Sequence, residues 1–178
     1  MIRLFTAVAI PERHRQHLAA TMHGIKGARW VAEENLHVTL RFIGEVDEDV
    51  ALDLDAALAE VRGEPFTLAV QGVGAFGHPP RVLWAGVKAE PEGALAHLHA
   101  AVESALVRAG LEPEGRKFAP HITLARFKGR PPADALGMFL EDHALLTFPE
   151  FTVEGFILYR SILGHEGPHY DAIAEYQL

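Results

Sequence analysis

The chain has no cysteine among its 178 residues. That excludes a disulfide scaffold, thiol catalysis and zinc–thiolate sites. It also lacks any apolar run near the ~20 residues that a membrane-spanning helix needs. No low-complexity stretch and no long Pro/Gly/Ser linker divides it. Positive charge is scarce, with 16 Lys and Arg against 24 Asp and Glu for a net charge of −8. Such a balance argues against a protein that coats long nucleic acid, where affinity comes from neutralising many phosphates. A small phosphate pocket remains compatible with it. The basic residues that exist are concentrated: Arg116, Lys117, Arg126, Lys128 and Arg130 place five of the 16 within 15 positions. Even spacing would put about 1.3 there, and a solvated basic face is the plain alternative to a site.

What is present is ordinary globular composition, 49% apolar and 22% charged, at a length suited to one domain or two fused lobes. Met1-Ile2-Arg3 followed by Leu4 to Ile10 is too short for a signal peptide before Pro11-Glu12-Arg13 intervenes. It reads as a first strand, and the expected compartment is the cytoplasm. Periodicity predicts strands at 2–9, 36–43, 66–73, 81–88, 121–128, 150–160 and 169–177. Helices are predicted at about 12–23, 47–62, 93–109 and 133–143, with Asp47 as a cap. Hairpin-like strand pairs outnumber strand–helix–strand crossovers, which predicts α+β with mainly antiparallel sheets.

The sequence also repeats. Leu36-His37-Val38-Thr39-Leu40 is echoed 84 positions later by Pro120-His121-Ile122-Thr123-Leu124. A second echo sets Phe66 to Val70 and Arg81 to Trp84 beside Phe151 to Val153 and His169 to Ile173. Two copies of one unit predict a pseudo-two-fold molecule with a cleft, each lobe of residues 1–178 carrying one His-x-Thr-Leu strand. With this composition about 0.05 matches to His-x-Thr-Leu arise by chance, and two are found. Residues i and i+2 share a strand face about 6.5–7 Å apart, so each imidazole has a hydroxyl beside it. Two such strands across a cleft supply an acid, a base and two donors around one phosphate, which is what phosphodiester cleavage needs.

Other motifs carry less. Gly72-Val73-Gly74-Ala75-Phe76-Gly77 matches a dinucleotide fingerprint, but a strand follows where a helix is required, so it reads as a hairpin turn. His97 and His99 would not face each other on a helix. His169 and Tyr170 read as turn residues near the cleft, and Trp30 and Trp84 as core. Arg41 is expected on the face of His37.

The segments Asn35-Leu36-His37-Val38-Thr39-Leu40-Arg41-Phe42-Ile43-Gly44 and Phe118-Ala119-Pro120-His121-Ile122-Thr123-Leu124-Ala125-Arg126 together resemble the two-histidine phosphoesterases. Within them the likeness is to the RNA 2′,3′-cyclic phosphodiesterase (2′-5′ RNA ligase) family. The opening Arg3-Leu4-Phe5-Thr6-Ala7-Val8 and the turn at Val73 to Gly77 are similar to that branch as well. The resemblance implies a bilobal α+β fold and metal-independent hydrolysis of RNA 2′,3′-cyclic phosphate ends to 2′-phosphomonoesters. Reverse 2′-5′ ligation would be a side activity. It implies His37 as proton donor, His121 as proton acceptor, and Thr39, Thr123 and Arg126 as phosphate contacts. No cofactor, metal, membrane or obligate protein partner is expected; the partner is RNA with a cyclic phosphate end. Strict alternation would point Arg126 away from His121, so its role requires a bulge or twist. The alternatives are a nucleotide-binding module without turnover, a phosphodiesterase for another cyclic phosphate, and a metal hydrolase using His37 and His121 as ligands.

Overall fold

Burial alternates with period 2 through most strands of the computed structural model, which describes residues 1–178. In chain order the elements are β1 (Ile2–Ala9), α1 (Glu12–Thr21), β2 (Ala28–Trp30), a 3-10 turn (Glu33–Asn35), β3 (His37–Val46) and α2 (Glu48–Leu58). Then come β4 (Phe66–Phe76), β5 (Val82–Glu90), α3 (Ala94–Arg108), β6 (His121–Phe127), α4 (Ala133–Asp142), β7 (Phe151–Val153), β8 (Gly155–Gly164) and β9 (Gly167–Gln177). Asp47 does occupy the N-cap position of α2 in extended conformation, but its side chain makes no cap hydrogen bond. Its support, with Glu48 and Asp49, is the favourable placement of negative charge in the first turn.

Every strand pairing is antiparallel. The order is β7-β4-β5-β6-β3-β1-β8-β9, with β2 added on β6. Two four-strand halves meet where β3 touches β6, through the single pair Val38↔Ile122. Both of these side chains are fully buried, a gain of about 2 kcal/mol each. They belong to one cluster of 33 buried residues that draws on both halves.

The expected strand at 150–160 is two strands in opposite halves. Phe151 and Val153 are buried, and then Phe156 and Leu158, so the burial parity switches at Glu154–Gly155. β7 pairs with β4 at one end of the order, and β8 pairs with β1 near the other. Laid flat, six spacings of ~4.8 Å would separate them, yet a single residue joins them. The sheet therefore curls until its ends approach. α2 and α3 pack on each other, and α3 also lies against β3 and β5. No helix is long and apolar enough to cross a membrane.

The second sequence echo also has a different meaning from the one expected. Phe66 to Leu68 pair directly with Val153 to Phe151 as neighbours within one half. Units of matching element order are instead β1-α1-β3-α2 and β5-α3-β6-α4. The Gly-rich stretch ends β4 and enters a hairpin turn. Gly74 is required there because a Cβ would lie 2.2 Å from the Trp84 ring, and Gly77 turns the chain at φ +100°.

Candidate active site

The Val38↔Ile122 bridge sets the geometry of the cleft. Its two side chains point into the core, so the residues on either side of each must point the other way. Antiparallel register about the bridge places His37 across from Thr123 and Thr39 across from His121. Two imidazoles and two hydroxyls thus occupy alternate corners of one rectangle.

Each ring is held by the carbonyl two residues before it. His37 Nδ1 lies 2.6 Å from the Asn35 carbonyl oxygen, and His121 Nδ1 lies 2.7 Å from that of Ala119. A carbonyl only accepts, so Nδ1 carries a proton in both rings and Nε2 is the nitrogen left for chemistry. At His37 the Nε2 atom is 2.8 Å from Thr39 Oγ1. The ring also sits among Phe5, Tyr170 and Tyr159, with centroids 5.0, 5.5 and 6.5 Å away. Burial in this surround lowers the His37 pKa from its ordinary value; the Asn35 carbonyl opposes this, while nearby His121 and Arg126 add to it. His121 has one aromatic neighbour, Phe76, edge-on at 4.9 Å.

Both His-x-Thr strands break alternation at the same point. Along β3, Thr39 pairs with Ala7 and Arg41 with Thr6, which leaves Leu40 as an extra residue. Along β6, Thr123 pairs with Trp84 and Ala125 with Leu83, which leaves Leu124 as the extra residue. Such a bulge buries two consecutive side chains and reverses the parity of the residues beyond it. Leu40 and Arg41 are both buried, as are Leu124 and Ala125. The next residues, Phe42 and Arg126, emerge on the histidine face.

His37, Thr39, Thr123 and Arg126 accordingly line one cavity of about 370 Å³, together with Arg3, Phe5, Asn35, Phe42 and Tyr170. The bulge that Arg126 needed is there. The matching bulge at Leu40 overturns the expectation for Arg41, which lies on the opposite face. Its guanidinium is bound 2.6 Å from Glu103 and 2.6 Å from the Glu112 carbonyl, with Glu114 at 3.5 Å. This fastens the segment before β6 to the back of β3.

Tyr170, read as a turn residue, is a wall of the cavity, whereas His169 is exposed and pairs with Asp171 at 2.8 Å. The basic cluster does not converge: Arg116 pairs with Glu114, and Arg130 borders a separate cavity with His78. Trp30 packs on Phe139 and Trp84 on Phe76. His99 stacks on Phe118 at 3.9 Å, while His97 faces another cavity. Asn35, Phe5 and Arg3 carried no signal as cavity residues because they reach it from other strands and turns. Asn35 is buried and its Nδ2 donates to the Pro168 carbonyl at 2.8 Å, which clips the start of β9 over the site. Phe42 was within reach of the sequence, since it stands 84 positions before Arg126.

Known proteins resemble the chain in sequence and in fold. The RNA 2′,3′-cyclic phosphodiesterase of Aeropyrum pernix is 41% identical over 147 residues, covering 82% of this chain and 83% of that protein. The protein of the same name from Thermotoga maritima is 36% identical over 186 residues, covering 99% and 95%. Among solved structures, Escherichia coli LigT complexed with 3′-AMP superposes with a TM-score of 0.78 at 29% identity, covering 99% and 98% of the two chains. A Thermus thermophilus protein does so with 0.78 at 31% identity, again covering 99% and 98%. The profile of the 2′-5′ RNA ligase superfamily matches residues 10–164, and the chain belongs to that superfamily.

Proposed function

We propose that residues 1–178 act as one unit that hydrolyses RNA 2′,3′-cyclic phosphate ends to 2′-phosphomonoesters. The observation that carries this reading is the rectangle of two imidazoles and two hydroxyls about the Val38↔Ile122 bridge, with both Nδ1 atoms tied to carbonyls. In the reaction, His121 Nε2 takes a proton from water as its oxygen attacks phosphorus. The bond from phosphorus to the 3′ oxygen breaks, and His37 Nε2 gives that oxygen its proton. A 3′-hydroxyl and a 2′-phosphate result, and the two histidines return to their starting protonation through solvent. The hydroxyls of Thr39 and Thr123 and the Arg126 guanidinium hold the non-bridging oxygens, where fixed donors stabilise charge as it develops. With a 5′-hydroxyl in place of water, the same ring-opening step forms a 2′-5′ linkage and frees the 3′-hydroxyl.

The electrostatics bear on which histidine is charged. Burial favours neutral His37, as do the neighbouring positive groups. An anionic cyclic phosphate in the cleft opposes both effects, so substrate binding itself favours the protonated ring that the leaving oxygen requires. The relatives named RNA 2′,3′-cyclic phosphodiesterase support the choice of substrate. The test is incubation with 2′,3′-cyclic mononucleotides in EDTA, with identification of the product. The 2′-phosphate is expected at an undiminished rate. A 3′-phosphate product, or turnover abolished by the chelator, overturns the reading.

A further inference from the structure

The cavity around His37 does not end at the reacting groups. A second cavity of about 710 Å³ shares Val31, Asn35, Arg126, Pro168 and Tyr170 with it, so the two form one trough. The outer part runs beneath the tip of the β8–β9 hairpin and is bounded by Arg29, His165 and Glu166.

Arg29 lies on β2 directly opposite Arg126 on β6. Directly opposed residues project from the same sheet face with Cβ atoms about 4.5–5.5 Å apart, and like charges so placed repel. Both residues are exposed and neither forms a salt bridge. The chain holds 24 carboxylates against 16 basic residues, so two adjacent unpaired guanidiniums are out of keeping with the rest of the surface. Glu166 is the single carboxylate on the trough wall, and it sits at the hairpin tip. β2 has no counterpart on β3, so the trough extends from one side of the histidine pair only.

A cyclic mononucleotide with a free 5′-hydroxyl carries one anionic group, and the inner cavity already offers it Arg3 and Arg126. A further guanidinium in the outer part, Arg29, calls for a second anion beyond the cyclic phosphate. In RNA the next anion along the chain is the phosphodiester on the 5′ side of the terminal nucleotide. We propose that Arg29 and the outer trough form a subsite for the nucleotide preceding the cyclic end, with Arg29 contacting the phosphodiester that joins the two. The inference rests on the function proposed above.

The experiment compares a 2′,3′-cyclic mononucleotide bearing a 5′-hydroxyl with a dinucleotide bearing the same cyclic end, for the wild type, Arg29→Ala and Arg29→Lys. For the wild type, kcat/KM is higher on the dinucleotide. In Arg29→Ala the ratio of dinucleotide to mononucleotide kcat/KM falls about tenfold, through KM, as loss of one charge-assisted contact predicts. Arg29→Lys, which keeps the charge, restores most of the ratio. The salt dependence for the dinucleotide flattens by about 0.7 in log–log slope, the value for one phosphate contact on a single strand. Because Arg29 is exposed, thermal melting tells a folding defect from a binding one. An unchanged ratio in Arg29→Ala, or an equal loss on both substrates, overturns the subsite and leaves the proposed function standing. Wild-type protein that turns over neither substrate overturns both.

Discussion

The two His-x-Thr strands share a backbone and differ in what surrounds it. Each has a histidine tied through Nδ1 to the carbonyl two residues back, a threonine two residues on, and a bulge at the next leucine. Beyond that the halves part. His37 is enclosed by Phe5, Tyr159 and Tyr170 and bonded to Thr39, while His121 has Phe76 at one edge. Past the bulges, β3 presents Phe42 where β6 presents Arg126, and β3 buries Arg41 where β6 buries Ala125. Two copies of one strand cannot by themselves give the two imidazoles different surroundings. The burial that lowers the His37 pKa comes from β1, β8 and β9.

The sharpest way to break the comparison is at the histidines. His37→Ala and His121→Ala should each lower kcat by about 10²–10⁴, the usual worth of a general acid or base. The double variant should be little worse than either single one, because the groups act together. Since His37 must be protonated to act as the acid, kcat/KM should fall as pH rises through its lowered pKa, on the acid side of the ordinary value near 6.5. In kcat, measured with the phosphate bound, the same limb should lie at higher pH. Near-wild-type turnover in either single variant, or a limb that moves the other way, would sink the assignment.

The back face comes next. Arg41→Ala makes β3 resemble β6 and strands Glu103 and Glu114, whose side chains are 19% and 25% exposed. Because both carboxylates keep some water, the loss should sit at the low end for a broken buried pair, on the order of 3 kcal/mol. Denaturant melts should register it, while kcat/KM of the folded fraction stays within about threefold, since Arg41 faces away from the cleft. Lost activity at full stability would contradict that placement.

The threonines give the smallest and finest contrast. Thr39→Val and Thr123→Val each remove one donor and should lower kcat/KM by about tenfold. Only Thr39→Val strips a hydroxyl from a histidine Nε2, so only it should displace the pH limb of His37. A displacement of equal size in Thr123→Val would mean that the two strands are electrostatically alike.

Much of the site was legible because its logic is local. Spacing of two on a strand put His37 with Thr39 and His121 with Thr123, and the 84-residue echo put the strands in partnership. The features that stayed hidden depend on breaks in periodicity. The bulges at Leu40 and Leu124 reverse the faces of Arg41 and Arg126, and a strict period of 2 reads both backwards. The strand expected at 150–160 hid a parity switch at Gly155, visible once Phe151 and Val153 are set against Phe156 and Leu158. β2, three residues long, is too short for any periodic signal, and it forms because β6 offers a free edge.

By itself the sequence determined the family, the order of the four helices and the longer strands, and the two His-x-Thr pairs, because these depend on residue type and short-range spacing. Only the tertiary structure decided which histidine is ringed by aromatic side chains, which arginine faces the cavity and which serves the core. Those outcomes depend on bulges and on strands brought together by the curl of the sheet. Tyr170 stands 133 residues from His37 along the chain, yet their rings lie 5.5 Å apart. No local pattern carries that distance.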